Sequence, residues 1–200
     1  MADSNITKRA LAMAMKELME QTPFSKISVG DICEKCGMNR KSFYYHFRDK
    51  YDLVNWIFDV EFLQLTVQHE EGIRWALLGE LCRYFYDNRV VYRRALEVKG
   101  QNSFSDHFRE MLYPLLRELL KKVLAEPKQV EFYINFYSDA FICSLERWLS
   151  SRDCMPPDQF VDLLQSSIVT LADLTKLEED EELGKHTEGT QTAPGSHANL

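Results

Sequence analysis

Basic and aromatic side chains are concentrated in one short stretch of this chain, where together they could bind a nucleic acid. The eight positions from Arg40 to Phe47 read RKSFYYHF and hold two basic and four aromatic residues. At about 100° per residue on a helix, Phe43 and Phe47 share one face, whereas Lys41 and Tyr45 fall on the other side. The pattern predicts a helix with a buried apolar face and a basic, aromatic face toward solvent.

DNA gives a physical reason for such a face. Lysine and arginine neutralise phosphates and release the counterions condensed on the duplex. Hydroxyl and amide side chains donate hydrogen bonds to phosphates, and side chains near the start of a recognition helix reach base edges in the major groove. A plain buried helix is the competing interpretation, but such a helix would not expose Lys41 and Tyr45 together.

The charge distribution favours the same stretch. The net charge of −7 argues against general affinity for nucleic acids. Residues 1–58 nevertheless carry nine basic and seven acidic residues, against thirteen and eighteen in 59–175 and two and six in 176–200. Within 35–50 there are five basic residues and one acidic residue. The positive charge therefore lies around the RKSFYYHF stretch, and an acidic body follows it.

The bulk composition predicts a cytoplasmic globular protein of one or two domains. The chain has 200 residues, of which 45% are hydrophobic. No apolar run is long enough to span a bilayer, and the charged N-terminus lacks a signal-peptide core. The five cysteines are expected to be free thiols in a reducing compartment.

The elements that position the basic face are predicted to be short, capped helices. Ser28 with Asp31 resembles a capping box, and Gly37 suits a left-handed helix end. Asn39 is a good N-cap for the helix that runs through Phe47. Two short helices joined by a glycine-containing turn form a helix-turn-helix.

Helical periodicity also covers the rest of the chain. The first helix, Asn5 to Gln21, is expected to bury Ile6, Ala10, Met13 or Ala14, and Leu18. Asp49 is expected to cap a fourth helix that buries Leu53, Trp56, Ile57 and Val60. Longer helices are predicted at 73–87, 90–98, 105–125 (with Pro114 inside it), 129–150 and 158–178.

These elements predict an all-α protein. We place a helix-turn-helix domain at 1–50 and a linking helix at 51–70. A helical regulatory and dimerisation domain is expected at 71–178. The acidic and then polar residues 179–200 are expected to be a disordered tail.

The stretch KISVGDICEKCGMNRKSFYYHFRDKYDLV resembles the DNA-binding region of the TetR family of bacterial transcriptional regulators. The positions that carry the resemblance are Ile32, Gly37, Tyr44, His46, Phe47, Lys50 and Leu53. The resemblance implies an all-helical homodimer that binds double-stranded DNA. It also implies that the last two long helices build the dimer interface.

The resemblance further implies roles for individual residues. The expected base readers are Arg40, Lys41, Ser42 and Tyr45. The expected phosphate contacts are Ser28, Asn39, Tyr44, His46 and Lys50, with Asn39 included for its polar side chain. Two segments, YHFRDKYDLVNWIF and ALEVKGQNSF, also resemble a subgroup that includes activators of dihydroxyacetone kinase operons. The effector is therefore expected to be either a small molecule or a partner protein.

Other functions have weaker support in the sequence. Cys33 and Cys36 form a CxxC without the second ligand pair that structural zinc requires, so packed small side chains are favoured over a metal site. The sequence lacks the common nucleophile, phosphate-loop, dinucleotide and zinc-protease motifs, so we predict no catalytic residue and no cofactor. The alternative function is a helical protein–protein interaction module without DNA readout, which predicts no salt-dependent DNA binding.

Overall fold

The computed structural model describes residues 2–66, 74–98, 100, 103–120 and 126–167, and every regular element among them is helical. The α-helices are α1 (Ala2–Gln21), α2 (Val29–Lys35), α3 (Arg40–His46), α4 (Lys50–Thr66), α5 (Arg74–Asp87), α6 (Arg89–Leu96), α7 (Phe104–Leu120), α8 (Pro127–Ser150) and α9 (157–167). A short 3₁₀ turn covers Phe24–Lys26. The predicted all-α class is confirmed.

The chain divides into two compact units, residues 1–157 and 158–200. The domain boundary that the sequence places near residue 50 remains a prediction. The expected helical residues 67–70, 121–125 and 168–178 lie outside the described residues, as does the expected tail at 179–200. No helix in the described ranges is long and apolar enough to cross a membrane.

Helix α1 buries Ala14 as predicted, but the rest of its buried face differs from the one that the sequence predicts. Leu11, Met15 and Met19 are fully buried, whereas Ile6 and Met13 are exposed. Both sets of residues recur at helical spacing, so periodicity alone does not show which set is buried. The observed face is the one that meets α2, α3, α4 and α6.

The helix-turn-helix forms as its local signals predict. The Ser28 hydroxyl accepts from the Asp31 N–H at 3.2 Å, and the Asp31 carboxylate accepts from the Ser28 N–H at 2.8 Å. Gly37 has a φ of 68°, a conformation that glycine adopts without a Cβ penalty. Asn39 Oδ1 accepts from the Ser42 N–H at 2.8 Å and so caps α3.

Helix α4 joins this region to the helices that follow. Asp49 Oδ1 caps its start by accepting from the Asp52 N–H at 2.9 Å. Leu53 and Ile57 are buried as predicted, but Trp56 and Val60 are only half-buried. Val54, Phe58 and Phe62 of α4 are also buried.

An aromatic cluster fixes α4 against α5, α6 and α7. The fully buried Phe58 ring is its centre. Its partners, at centroid distances of 5.2–5.8 Å, are Phe62, Phe85, Tyr92, Phe104 and Phe108. Packed aromatic rings contribute large buried areas and prefer such edge and offset contacts.

Helices α7 and α8 form an antiparallel pair. Helix α7 continues through Pro114, as the sequence predicts, and α8 begins at Pro127, two residues before its predicted start. Proline suits the first position of a helix because its missing N–H would have no partner there. The face of α8 that packs inward carries Val130, Ile134, Ser138 and Ile142.

Candidate nucleic-acid interface

Helix α3 divides into a buried face and an exposed face. Phe43 is fully buried, and Phe47, just after the helix, is nearly so. On the other side, 82% of Tyr45 and 58% of Tyr44 are exposed, and Lys41 is exposed as well. Two tyrosines and a lysine therefore face solvent on a helix whose opposite side is anchored in the core.

Ring contacts fix the orientation of α3. The Phe47 ring meets the Trp56 ring of α4 edge-on, with 5.6 Å between centroids. The Lys8 ammonium of α1 lies 5.7 Å from the Phe47 centroid and 5.5 Å from the Trp56 centroid. Such cation–π contacts contribute about 0.5–1 kcal/mol each at partly exposed sites. Both α1 and α4 therefore hold the exposed face of α3 outward.

The N-terminal cap of α3 involves two of the predicted DNA-contacting residues. Asn39 Oδ1 accepts from the Ser42 N–H at 2.8 Å and from the Ser42 hydroxyl at 3.2 Å. The cap occupies the carbonyl oxygen of Asn39, so its amide NH₂ is the part that can donate to a phosphate. The Ser42 hydroxyl would have to leave Asn39 to donate to a base.

Ser28 is similarly engaged at the start of α2. Its hydroxyl donates to Asp31 Oδ2 at 2.8 Å. Hydrogen bonds from the Ser28 N–H and hydroxyl hold the pKa of Asp31 below its ordinary value, and the charges of Arg40 and Lys50 act in the same direction. In this arrangement Ser28 serves the helix cap.

The Lys50 amine is already saturated by the protein itself. It donates to the carbonyls of Phe24 at 2.7 Å, Ser25 at 3.2 Å and Ile27 at 2.7 Å. It also lies 4.6 Å from the Phe24 ring centroid, and burial lowers its pKa. An ammonium has three donors, so a phosphate contact would have to replace one of these carbonyls.

Arg40 extends away from the exposed face of α3 and toward α2. A Cβ built on Gly30 would lie 2.6 Å from Arg40 Nη2, so the guanidinium lies directly against this glycine. His46 is half-buried, and its ring meets the Tyr45 ring edge-on at 4.8 Å between centroids. Of the predicted base readers, Lys41 and Tyr45 are therefore the two whose side chains lie exposed on the outer face of α3.

The nine predicted contact residues lie within one local stretch, from Ser28 to Lys50, because the helix-turn-helix is local in sequence. Sequence reasoning missed the close approach of Arg40 to Gly30. A signal was present, since glycine near the start of a helix is less favourable than alanine and needs a reason.

The CxxC in α2 has ordinary structural surroundings. Cys33 is buried, and burial raises the pKa of its thiol. The Cys36 thiol donates to the Ile32 carbonyl at 3.2 Å. Within the described ranges no three His, Cys, Asp or Glu side chains are grouped as a metal site would need.

Two protein-family models match this chain, one in its N-terminal part and one in its C-terminal part. A family model described as "Bacterial regulatory proteins, tetR family" matches residues 11–57, and one described as "Transcriptional regulator C-terminal region" matches residues 76–170. The HTH-type dhaKLM operon transcriptional activator DhaS of Lactococcus lactis is 28% identical over 145 residues, covering 72% of this chain and 74% of DhaS.

Two solved structures share the fold. A TetR transcriptional regulator from Streptococcus agalactiae superposes with a TM-score of 0.65 at 22% identity, covering 84% of this chain and 96% of that one. A dihydroxyacetone kinase operon activator DhaS superposes with a TM-score of 0.55 at 23% identity, covering 82% and 97%. All of these descriptions name regulators of transcription.

Proposed function

Because this chain belongs to the TetR family of bacterial transcriptional regulators, we propose that it binds a palindromic operator in double-stranded DNA as a homodimer. The observation that carries this proposal is the outer face of α3. Lys41 and Tyr45 are exposed there, while Phe43 anchors the opposite side. A helix in this position of a helix-turn-helix enters the major groove.

Lys41 and Tyr45 read base edges in this proposal, and Ser42 joins them when DNA displaces its bond to Asn39. The amide of Asn39 and the side chains of Tyr44 and His46 contact the flanking phosphates. Ser28 and Lys50 contribute mainly through the positions of α2 and α4, because their donors bind the protein itself. Phosphate contacts fix the register, and base contacts supply the sequence preference.

Exposed aromatic residues on α8 support dimer formation. Phe132 is 64% exposed and Phe136 is 50% exposed. Their rings stack on one another at 6.2 Å between centroids. Exposed contiguous apolar surface usually marks an interaction site. A twofold pairing through this face presents two α3 helices to half-sites about 34–36 Å apart, or a multiple of that distance.

Polar contacts connect α4 to α1 and to the helices of the proposed regulatory domain. The Lys16 ammonium of α1 lies 3.0 Å from Glu61 Oε1 of α4. The Tyr84 hydroxyl of α5 donates to Glu61 and also bonds to the Tyr92 hydroxyl of α6. On another side of α4, His107 Nε2 of α7 lies 2.6 Å from Asp59 Oδ1.

These contacts suggest how an effector acts. A small molecule or a partner protein that displaces α5, α6 or α7 would move α4 and change the separation of the two recognition helices. A cleft of about 650 Å³ between α4 and α7 is one place for a small effector. Its walls are Arg48, Asp52, Asn55, Trp56, Asp59, Asp106, His107, Arg109 and Glu110.

Selection from a random DNA pool tests the proposed function. The purified protein, a Lys41→Ala/Tyr45→Ala variant and a matched Tyr113→Ala/Arg117→Ala control, whose changes lie on the exposed surface of α7, each select bound duplexes. We expect a palindrome to be enriched by the wild-type protein and the control, and lost in the Lys41/Tyr45 variant. A folded, dimeric wild-type protein that enriches no sequence would contradict the proposal.

A further inference from the structure

The absence of a side chain at Gly30 leaves a gap, or notch, on the surface of α2. The Arg40 side chain of α3 lies in this notch. Gly30 is the second residue of α2 and has ordinary helical φ, so its backbone does not require glycine. A Cβ at this position would lie 2.6 Å from Arg40 Nη2, 3.3 Å from Ser28 Oγ and 3.4 Å from Arg40 Cζ. Because alanine is the better helix former, the contact with the guanidinium is the physical reason for a glycine here.

The notch changes what Arg40 can reach. Arg40 is the first residue of α3, yet its guanidinium lies against the first turn of α2. In a helix-turn-helix the second helix enters the major groove, whereas the first helix crosses the DNA backbone. A guanidinium beside the start of α2 is therefore next to phosphates and turned away from base edges.

The donors of Arg40 are also available. A guanidinium has five N–H donors. Within the described part of the chain the Arg40 guanidinium makes no hydrogen bond or salt bridge; it lies against Gly30, and its charge acts on the Asp31 carboxylate. The nearby Asp31 carboxylate is directed into the capping box by two bonds of 2.8 Å from Ser28. This differs from Lys50 and Ser28, whose donors are bound to carbonyl or carboxylate oxygens of the protein.

We infer that Arg40 is a phosphate contact made from beside α2, and that Gly30 is the residue that positions it. The inference rests on the proposed DNA-binding function. It also reassigns Arg40, which the sequence placed among the base readers. Gly30 acts mainly through Arg40, because an added Cβ would approach the guanidinium most closely and displace it from the notch.

A double-mutant cycle tests the inference. Gly30→Ala, Arg40→Ala and the double variant are titrated with a duplex of arbitrary sequence and with any selected operator, over a range of salt concentrations. Gly79→Ala is the matched control, since Gly79 lies in α5 and a Cβ there would meet nothing within 4 Å. Thermal unfolding of each variant reports its stability.

The expected result separates stability from binding. Gly30→Ala should unfold near the wild-type temperature, because the helix preference of alanine opposes the close approach of its Cβ to Ser28 Oγ. It should nevertheless weaken binding to every duplex by roughly three- to tenfold and lower the salt slope by about one, as loss of a single phosphate contact does. In the Arg40→Ala background, Gly30→Ala should change nothing, and Gly79→Ala should bind as wild type.

Four results would overturn the inference. Gly30→Ala could bind as wild type does, or weaken binding equally with and without Arg40. Arg40→Ala could keep the salt slope and relax the preference at one base pair, which would make it a base reader. A wild-type protein that binds duplexes but selects no sequence would refute the operator proposal alone, since the cycle on the arbitrary duplex still decides the role of Gly30. A wild-type protein that binds no duplex would overturn both.

Discussion

At the scale of single residues, the candidate interface separates side chains that face solvent from side chains that hold its helices together. Lys41 and Tyr45 are exposed on the outer side of α3. Lys50, although basic and close by, donates to three backbone carbonyls. Both lysines are basic and lie close together in the sequence, so only the partners of each amine distinguish the proposed base reader, Lys41, from the structural residue, Lys50.

Replacing Lys50 should therefore reduce stability. Lys50→Met keeps the length of the side chain but leaves the carbonyls of Phe24, Ser25 and Ile27 without this donor. We expect the free energy of unfolding to fall by about 1–3 kcal/mol, measured by denaturant titration.

Lys41→Met is the control for this change, since its amine is exposed and its loss should leave stability within about 0.5 kcal/mol of wild type. If Lys50→Met unfolds like wild type yet binds DNA more weakly, the amine is a phosphate ligand, as the sequence alone suggests.

At the scale of elements, the local signals of the sequence were sufficient where an element is defined by its own residues. The capping box at Ser28, the left-handed turn at Gly37 and the cap at Asn39 could all be predicted, because each depends on neighbours within four positions. The two faces of α3 follow from helical geometry for the same reason.

Features that depend on distant residues were not predictable. The buried face of α1 contains Leu11 and Met15 instead of Ile6 and Met13, because the choice depends on which helices lie against it. Lys50 finds carbonyls more than twenty positions away. The contact between Arg40 and Gly30 joins two helices across a turn, and no local rule specifies where a long flexible side chain will lie.

The polar link between α4, α5 and α6 gives an expected dependence of stability on pH. Burial is the main cause that raises the pKa of both Tyr84 and Tyr92 above the ordinary value of 10.0. A group whose folded pKa is raised contributes stability below its unfolded pKa and loses it as the pH rises. We expect the free energy of unfolding to decline above about pH 10 for this reason.

A Tyr84→Phe/Tyr92→Phe variant isolates this contribution. The other titratable groups are common to both proteins, so their contributions cancel in the comparison. The variant should lose less stability than wild type between pH 9 and 11 in denaturant titrations. Equal losses in the two proteins would show that the two buried phenols do not cause the decline in stability at high pH.

At the scale of the whole molecule, the proposed DNA binding depends on two copies of the chain. Phe132 and Phe136 expose aromatic surface on α8, while the inward face of the same helix is buried against the rest of its unit. A charged residue at these positions would be desolvated in a dimer but solvated in a monomer, so it should act on association alone.

Phe132→Glu/Phe136→Glu should therefore shift the protein toward monomers while leaving its helix content unchanged. Sedimentation velocity measures the first property, and circular dichroism measures the second. Met13→Glu is the control, because Met13 is 65% exposed on α1, away from α8. A double variant that remains as dimeric as wild type would place the dimer interface elsewhere.

The central claim is that the outer face of α3 reads DNA bases in two symmetric half-sites. Photocrosslinking tests it most directly. A photoreactive benzoyl-phenylalanine replaces Tyr45, with the same probe at Tyr113 as the control, and the crosslinked duplex positions are mapped. We expect position 45 to crosslink to bases at two symmetric positions about 34–36 Å apart or a multiple of that distance, and position 113 to crosslink to no DNA. Crosslinks from position 45 to protein alone, or equally to every part of the duplex, would contradict the claim.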